Sequence, residues 1–291
     1  MDTRLLEDAL ALIEEGTMSA AALRRNVTQP AFSRRIKALE HWLGAPLVER
    51  HVNKVVLTEA LLAREVEIRA ILETLNQFRR SSGSTRRSFI AAAQHSLATS
   101  VFPEIYPRIQ ALDGIDRVRL RTRNQDEIIA LFLKFEVDLI LSYQYEGAPR
   151  LPFDETVIRR TWRRDSLVPV VGGALRFLLA EDQTLTEPVP ALRYPAESEF
   201  GRIIGAYAPA RDLLRDEVVV VESAFAASVV SLIKLGAGVG WVPQSLVRDE
   251  MRRGEVVPIS AAYGRIPLDV ELSTHRTNAM GRLVLDTLVP A

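Results

Sequence analysis

The sequence predicts a chain of three parts: a small helical domain closed by a two-stranded hairpin, a long helix, and an α/β domain with two lobes. Three observations support this prediction. The first 57 residues carry apolar residues at helical spacing, interrupted by stop and cap signals. Residues 58–80 contain no Pro or Gly, and from residue 88 onward strand-like and helix-like segments alternate. A polar segment with Gly and Ser, residues 81–87, is expected to form a hinge.

The composition is that of an ordinary globular protein and excludes several classes. The 291 residues are 47% hydrophobic and 25% charged with a formal net charge of +0, so affinity for nucleic acid would have to come from local charge. The absence of cysteine excludes disulfides and thiol chemistry. The first residues lack the pattern of a secretion signal, and no apolar run approaches the roughly 20 residues that cross a bilayer. We therefore expect a cytoplasmic protein that does not contact a membrane.

Three helices are predicted in the first domain. Apolar residues at helical spacing lead up to Gly16, which ends the first helix. Thr17 or Ser19 can cap a short second helix, and Thr28 can cap a third helix with Pro30 in its first turn. Two short helices with a tight connection are typical of a helix-turn-helix.

The third helix has two distinct faces. Its apolar residues lie within about 60° of one another on a helical wheel and predict a buried stripe: Phe32, Ile36, Leu39 and Leu43. The opposite face is small, polar and basic, and residues 24–54 contain seven Lys or Arg against two acidic residues. Such a face suits the major groove of DNA; the alternative is a basic surface that contacts solvent alone.

Two short strands around a polar turn, at residues 47–50 and 55–57, predict a wing beside the helix-turn-helix. The order of helix, helix and wing favours DNA binding over a merely solvated surface. The side chains predicted to contact DNA lie on the exposed face of the third helix, in its first turn or in the wing: Thr28, Gln29, Pro30, Ser33, Arg34, Arg35, Lys37, Arg50 and Lys54.

Several segments of the chain resemble one family. VTQPAFSRRIKALEHWLGAPLVER at residues 27–50, with VVLTEA at 55–60, resembles the recognition-helix and wing signature of LysR-type transcriptional regulators. SFIAAAQHSL, FGRII and LGAGVGWVP look most like the branch that includes hypochlorite-responsive regulators. The resemblance implies a sequence-specific DNA-binding regulator of transcription. It also implies groove positions for four residues of the recognition helix and a backbone-approaching position for one wing residue: Gln29, Pro30, Ser33, Arg34 and, in the wing, Arg50.

Two positions depart from the pattern of the family that the chain resembles. Arg25 stands where the second helix usually has an apolar residue, and Leu61 stands where a glycine usually follows the LTEA segment. We expect Leu23 to compensate for the first departure and Leu61 to stiffen the start of the next helix.

The long helix predicted at residues 58–80 carries an apolar seam. Leu61, Ile68 and Leu75 repeat at intervals of seven, with further apolar residues beside them: Ile71, Leu72 and Phe78. The seam needs a partner, either the α/β domain of the same chain or, as the resemblance implies, the same helix of a second subunit. A homodimer would present two recognition helices to two half-sites. The resemblance further implies a homotetramer, and RNA polymerase is an additional expected partner.

The α/β domain, residues 88–291, is expected to contain largely parallel strands in two lobes. Strands are predicted at residues 89–93, 118–121, 138–142, 167–171, 192–194, 218–221, 239–242 and 268–273. The first lobe is expected to comprise about 88–162 and 265–291, and the second about 163–264. This bilobed, periplasmic-binding-protein-like α/β arrangement, which the resemblance also implies, places a ligand cleft between the lobes.

Small polar and aromatic residues follow the predicted strands, at the edge where ligands bind in open α/β sheets. The predicted effector-binding residues are Ser96, Leu97, Asn124, Ser142, Tyr143, Ser198, Phe200, Gly201, Glu222 and Ser223. They suit a small, partly polar effector, and the neighbouring helix N-termini favour a carboxylate or another anion. The alternative is that the serines simply cap helices.

Other functions fit the sequence less well. The run GAGVG at residues 236–240 follows a helix and enters a strand, the reverse of the dinucleotide-binding order, and the four histidines lack metal-site spacing. We predict no metal, no cofactor and, without a nucleophile elbow or paired carboxylates, no enzyme. A solute-binding protein would not need residues 1–87, and an architectural DNA-binding protein would not need a cleft. Oxidant sensing would rely on Met251 and Met280, the methionines of the α/β domain.

Overall fold

The computed structural model describes residues 2–51, 54–81, 88–149, 151–207 and 219–290. The chain forms two compact units, residues 1–85 and residues 86–291. The predicted hinge at residues 81–87 lies outside the described residues except for Ser81. In the described ranges, no helix is long and apolar enough to cross a membrane.

The first unit is a helical domain with one hairpin. Its described elements are α1 Arg4–Glu15, α2 Met18–Arg24, α3 Gln29–Leu43, β1 Val48–His51, β2 Lys54–Leu57, α4 Glu59–Leu62 and α5 Glu65–Ser81. The hairpin strands are antiparallel, with Val48 opposite Leu57 and His51 opposite Lys54. This order confirms the predicted winged helix-turn-helix.

The ends of the first helices follow the signals in the sequence. Gly16 ends α1 with a left-handed φ of 67°, and the Thr17 hydroxyl accepts a hydrogen bond from the Ala20 N–H at 3.3 Å. Asn26, with φ 53°, makes the tight turn between α2 and α3, a backbone conformation that asparagine tolerates. Thr28 precedes α3 as predicted, but its side chain accepts no capping hydrogen bond.

Helix α3 packs against the domain core by its apolar face and also contacts the wing. It buries Phe32, Ile36 and Leu39, whereas Leu43 is half-buried. The Glu40 carboxylate accepts hydrogen bonds from the N–H groups of Leu47 at 2.8 Å and Val48 at 3.2 Å. The start of the wing is therefore tied to the recognition helix by one side chain.

The prediction of a single helix over residues 58–80 is wrong, because a turn at residues 63–64 separates α4 from α5. Thr58 caps α4 by accepting a hydrogen bond from the Leu61 N–H at 3.3 Å. Leu61, Ile68 and Leu72 are all buried, and α1 contacts both α4 and α5. Both segments thus pack on α1, and this packing accompanies the break in the helix that the sequence predicted to be continuous.

The second unit is a mixed α/β domain. Its described strands are β3 Ser88–Gln94, β4 Arg117–Arg123, β5 Leu139–Gln144, β6 Val157–Gly172, β7 Ala191–Arg193, β8 Val219–Glu222, β9 Val239–Pro243, β10 Val256–Pro258 and β11 Ile266–His275. Its described helices are α6 His95–Ser100, α7 Phe102–Gln110, α8 Gln125–Leu133, α9 Glu199–Ala206, α10 Ala226–Lys234, α11 Arg248–Arg252, α12 Ser260–Tyr263 and α13 Ala279–Leu288. Short 3₁₀ turns occupy Gly173–Leu178 and Gln244–Leu246.

The strands form one sheet in the order β4-β3-β5-β11-β6-β9-β7-β8, with β10 paired to β6. Strand β3 is parallel to β4 and β5, and β7 is parallel to β8 and β9. The prediction of largely parallel strands is wrong for the middle, where β11 and β6 are antiparallel to their neighbours. We call β3, β4 and β5 with their helices the first lobe, and β7, β8 and β9 with their helices the second lobe.

Strand β6 is much longer than the predicted strand at residues 167–171. Its first part is rich in arginine, alternates between half-buried and exposed positions, and pairs with β11 from Val157 opposite His275 to Leu167 opposite Ile266. The predicted lobe boundary at residues 162 and 163 consequently falls inside β6. The run at 236–240 leads from α10 into β9 as predicted, and Gly236 turns the chain there with φ 77°.

Candidate nucleic-acid interface and ligand cleft

The exposed face of α3 carries most of the predicted DNA contacts. Thr28, Gln29, Pro30, Arg34 and Lys37 are exposed, and Ser33 and Arg35 are half-buried. Arg34 and Lys37 form no ion pair with any residue that the structure describes. Their charges are therefore available to a phosphate or a base edge.

Arg35 is placed differently, because its guanidinium meets a buried carboxylate of α1. Asp8 is 0% exposed, with its Oδ2 2.6 Å from Arg35 Nε and its Oδ1 2.8 Å from Arg25 Nε. Burial raises the pKa of the Asp8 carboxyl, and the two guanidinium groups act in the opposite direction. The Asp8 carboxylate thus joins α1 to the C-terminal end of α2 and to the middle of α3.

This cluster also accounts for Arg25, which departs from the family pattern. Besides Asp8, its guanidinium contacts the Glu7 carboxylate at 2.5 Å. The expected compensation by Leu23 is wrong, because that side chain is 79% exposed. An ion pair, rather than a neighbouring apolar side chain, accommodates the arginine.

A second cluster of charges links α1 to α2 and α5. The Glu14 carboxylate pairs with Arg24 and, at 2.8 Å, with Arg69, which also lies 2.6 Å from Glu65. Acids of α1 therefore neutralise Arg24 here and both Arg25 and Arg35 in the first cluster. Fewer positive charges are therefore left for DNA than the count of seven basic residues indicated.

The wing supplies the remaining predicted contacts. The backbones of Arg50 and Lys54 lie in β1 and β2, and their side chains lie outside the described part of the chain. Residues 52–53, at the predicted wing turn, lie outside it as well. Their contact with DNA stays a prediction.

A cavity of about 330 Å³ opens between the two lobes of the second unit. Four of the predicted effector-binding residues line it, two from each lobe: Ser96, Asn124, Ser198 and Phe200. Ser198 also caps α9, because its hydroxyl accepts a hydrogen bond from the Gly201 N–H at 3.1 Å. Ser198 therefore both caps a helix and lines the cavity, so the two alternatives do not exclude each other for this residue.

The other six predicted residues do not line this cavity: Leu97, Ser142, Tyr143, Gly201, Glu222 and Ser223. The first three are fully or almost fully buried in the sheet core beneath it. A Cβ at Gly201 would lie 2.0 Å from the Pro195 carbonyl oxygen, so close packing explains this glycine. The Ser223 hydroxyl accepts from the Phe225 N–H at 3.2 Å and shapes a local turn.

Gln94 and His95 make side-chain contacts across the cleft between the lobes. Gln94, the last residue of β3, accepts a hydrogen bond from the Tyr143 N–H at 2.8 Å through Oε1 and donates through Nε2 to the Glu199 carboxylate on α9. Because a backbone N–H can only donate, the first bond fixes the orientation of the Gln94 amide. The rings of His95 and Phe225 meet edge to face, with centroids 4.8 Å apart.

The electrostatics of the cleft centre on Glu199. Burial raises the pKa of its carboxyl to about 7, and the Asp126 charge adds to this rise. The hydrogen bond from Gln94 and the charge of Arg202 lower the pKa but do not cancel the effect of burial. Glu199 therefore changes protonation near neutral pH.

Two tyrosines close the bottom of this region around one phenylalanine. The Phe200 ring lies 5.6 Å from the Tyr143 ring and 5.3 Å from the Tyr194 ring, measured between centroids. Burial raises the pKa of both tyrosine hydroxyls, so both stay protonated at neutral pH.

Sequence reasoning missed the charged part of the cavity lining. Besides Gln94, His95 and Tyr194, the lining includes Arg123, Asp126, Glu197, Glu199 and Arg202. One signal was available, since Glu199 stands between Ser198 and Phe200, two predicted residues that line the cavity. The lining contains three carboxylates and two guanidinium groups, which does not favour the expected carboxylate effector.

A winged helix-turn-helix joined to a bilobed α/β unit with a cleft defines the class of two-domain transcription regulators. Two family models match the chain: "Bacterial regulatory helix-turn-helix protein, lysR family" over residues 3–60 and "LysR substrate binding domain" over residues 82–288. The chain belongs to the LysR family of DNA-binding transcriptional regulators. The family resemblance and the predicted fold class are thereby confirmed.

Individual relatives extend over almost the whole chain. The HTH-type transcriptional regulator YjiE of Escherichia coli K12 is 30% identical over 285 residues, which is 92% of this chain and 87% of that protein. Full-length HypT from Salmonella typhimurium, a hypochlorite-specific LysR-type regulator, is 26% identical with a TM-score of 0.56 and covers 99% of this chain and 97% of its own. VV2_1132, a LysR family transcriptional regulator, is 24% identical with a TM-score of 0.62 and 99% coverage of both chains.

Proposed function

We propose that this protein binds a specific promoter sequence through α3 and the wing, and that a small molecule in the cleft controls its DNA binding or promoter activation. The exposed cations Arg34 and Lys37 on α3, which form no ion pair within the described residues, carry the DNA-binding part of this proposal. The cavity between the lobes supports ligand control. A cytoplasmic location and contact with RNA polymerase belong to the same proposal.

The ligand must favour one arrangement of the lobes, because equal affinity for two arrangements shifts neither. The contacts between Gln94 and Glu199 and between His95 and Phe225 join the lobes, and three of these four residues line the cavity. A ligand there would alter the contacts that determine how closely the lobes approach. Such a change is the proposed origin of the signal.

Helix α5 supports a homodimer. Ile71, Leu75 and Phe78 lie on one face of the helix and are exposed, whereas Ile68 and Leu72 are buried on the adjoining face. We call Ile71, Leu75 and Phe78 the apolar stripe. The predicted seam is therefore split between the unit's own core and a surface that suits the same helix of a second subunit. A tetramer built from such dimers is the proposed full assembly.

Binding of the full-length protein to its own upstream intergenic DNA tests the regulator proposal. We expect preferential binding over scrambled DNA and a steep fall in affinity with salt, because lysine and arginine displace counterions from phosphates. Fluorescence anisotropy at several salt concentrations measures both quantities. Absent or salt-resistant binding would contradict the proposal and leave the cleft as a solute-binding site.

Oxidant sensing is a second candidate, favoured by the similarity to hypochlorite-specific HypT. In this chain Met251 and Met280 are half-buried and pack against the core of the second unit. Because a ligand in the cleft is the proposed signal, we expect mild hypochlorite treatment to leave operator affinity unchanged. A change in affinity that disappears in the Met251→Leu, Met280→Leu double variant would instead support the oxidant.

A further inference from the structure

The Glu199 carboxylate in the cleft has one oxygen without a hydrogen-bond partner among the described residues. Its Oε2 accepts a hydrogen bond from Gln94, whereas its Oε1 is buried and has no hydrogen-bond partner. Within the described ranges, no lysine or arginine forms an ion pair with this carboxylate. Burying a carboxylate without a cation is unfavourable, so a cation bound beside Glu199 would stabilise the site.

The two guanidinium groups in the cavity lining are engaged elsewhere. Arg202 donates to the backbone carbonyl of Glu197. Arg123 donates to the Thr122 carbonyl at 2.8 Å and lies 4.0 Å from Glu127. Neither group is held against the Glu199 carboxylate.

A second polar group of the lining also lacks a partner. Tyr194 is 6% exposed, lines the cavity, and its hydroxyl has no hydrogen-bond partner among the described residues. A buried hydroxyl without a partner is unfavourable, and a small rotation of this lining side chain would let the hydroxyl accept a hydrogen bond from an N–H group of a ligand. This observation is independent of the charge of Glu199.

We propose that the cleft binds a small organic cation, an amine or a guanidine, whose charged nitrogen pairs with the Glu199 carboxylate. The inference rests on the proposed function and names the chemical class of its effector. An anionic effector would instead meet the negative charges of Asp126, Glu197 and Glu199. The amine class therefore replaces the carboxylate expected from the sequence.

Two probes of equal length and opposite charge test this class on the full-length protein. Cadaverine carries two ammonium groups on a five-carbon chain, and glutarate carries two carboxylates on a chain of the same length. We expect cadaverine to raise Tm and to bind in calorimetry, with no binding of glutarate up to about 20 mM, well above a Kd of about 1 mM. Binding of glutarate instead, or of neither probe, would overturn the proposal.

Glu199→Gln provides the residue-level test, because the amide keeps an acceptor for Gln94 but removes the charge. We expect at least a tenfold loss of cadaverine affinity, whereas the control Glu187→Gln, an exposed position of the second unit outside the cavity lining, changes it less than about threefold. Equal losses in the two variants would contradict a specific pair with Glu199. If Glu199→Gln does not fold, two measurements on the wild-type protein test the proposal instead. These are its preference for cadaverine over glutarate and the pH dependence of its cadaverine affinity.

The pH dependence has a defined sign. The Glu199 pKa of about 7 makes the ionised form scarce at pH 6 and dominant at pH 8, while the amine stays protonated. Cadaverine affinity is expected to rise about tenfold over this range, because only the ionised form is competent. Other charged or titratable groups of the cavity are His95, Arg123, Asp126, Tyr194, Glu197 and Arg202. The His95→Gln variant should still show the rise in cadaverine affinity between pH 6 and pH 8. If the Glu199→Gln variant shows the same rise, the proposal is overturned.

Operator binding without ligand separates this inference from the proposed function. If cadaverine fails while operator DNA is still bound specifically, the regulator proposal stands and the ligand class is wrong. If specific DNA binding is absent, the regulator proposal fails whatever the cleft binds.

Discussion

Replacement of Leu75 and Phe78 by aspartate is expected to convert the protein to a monomer and to lower its operator affinity by roughly a hundredfold or more. Both side chains belong to the exposed apolar stripe on α5, away from the buried residues Ile68 and Leu72. A carboxylate in the stripe would have to be desolvated against a second helix, which is unfavourable. Loss of the dimer then removes the advantage of binding two half-sites at once.

Light scattering and anisotropy on the same samples measure the mass and the operator affinity. Leu235→Asp combined with Phe177→Asp is a matched control, because these side chains are 79% and 81% exposed on the second unit and the double variant receives the same charge change. This control should leave both quantities unchanged. A stripe variant that stays dimeric and binds operator normally would show that the apolar stripe is not the dimer interface.

Local signals in the sequence were sufficient for most of the secondary structure. Apolar periodicity located α1 and α3, and Gly16 marked a helix end because glycine adopts a positive φ without penalty. The same signals failed at residues 63–64, where neither Pro nor Gly interrupts the pattern. There the interruption comes from packing of α4 and α5 on α1, which no local pattern records.

The charges of both candidate sites depend on contacts between distant parts of the chain. Arg35 looked available for DNA on a helical wheel, and its pairing with Asp8 joins residues 27 positions apart. The contact between Gln94 and Glu199 joins residues 105 positions apart. Sequence alone shows which residues carry charge, but the fold determines which charges are already neutralised.

This distinction gives Arg34 and Arg35 opposite expected effects. Arg34→Ala should weaken operator binding by about 1 to 3 kcal/mol, roughly 5- to 150-fold, because its guanidinium is exposed and unpaired among the described residues. If the lost contact is to phosphate, the salt slope should also fall by about one. Thermal stability should stay within error of the wild type. Salt-titrated anisotropy and calorimetry test the two statements, and unchanged affinity at low and high salt would remove Arg34 from the interface.

Arg35→Met, in contrast, should lower the stability of the first unit by about 2 kcal/mol, because it leaves the buried Asp8 carboxylate with Arg25 alone. Adding Asp8→Asn should restore most of this loss, since a neutral amide does not need two cations. The salt slope of operator binding should stay close to the wild-type value in the folded double variant. A slope reduced as much as in Arg34→Ala would show that Arg35 leaves Asp8 and contacts phosphate when DNA is bound.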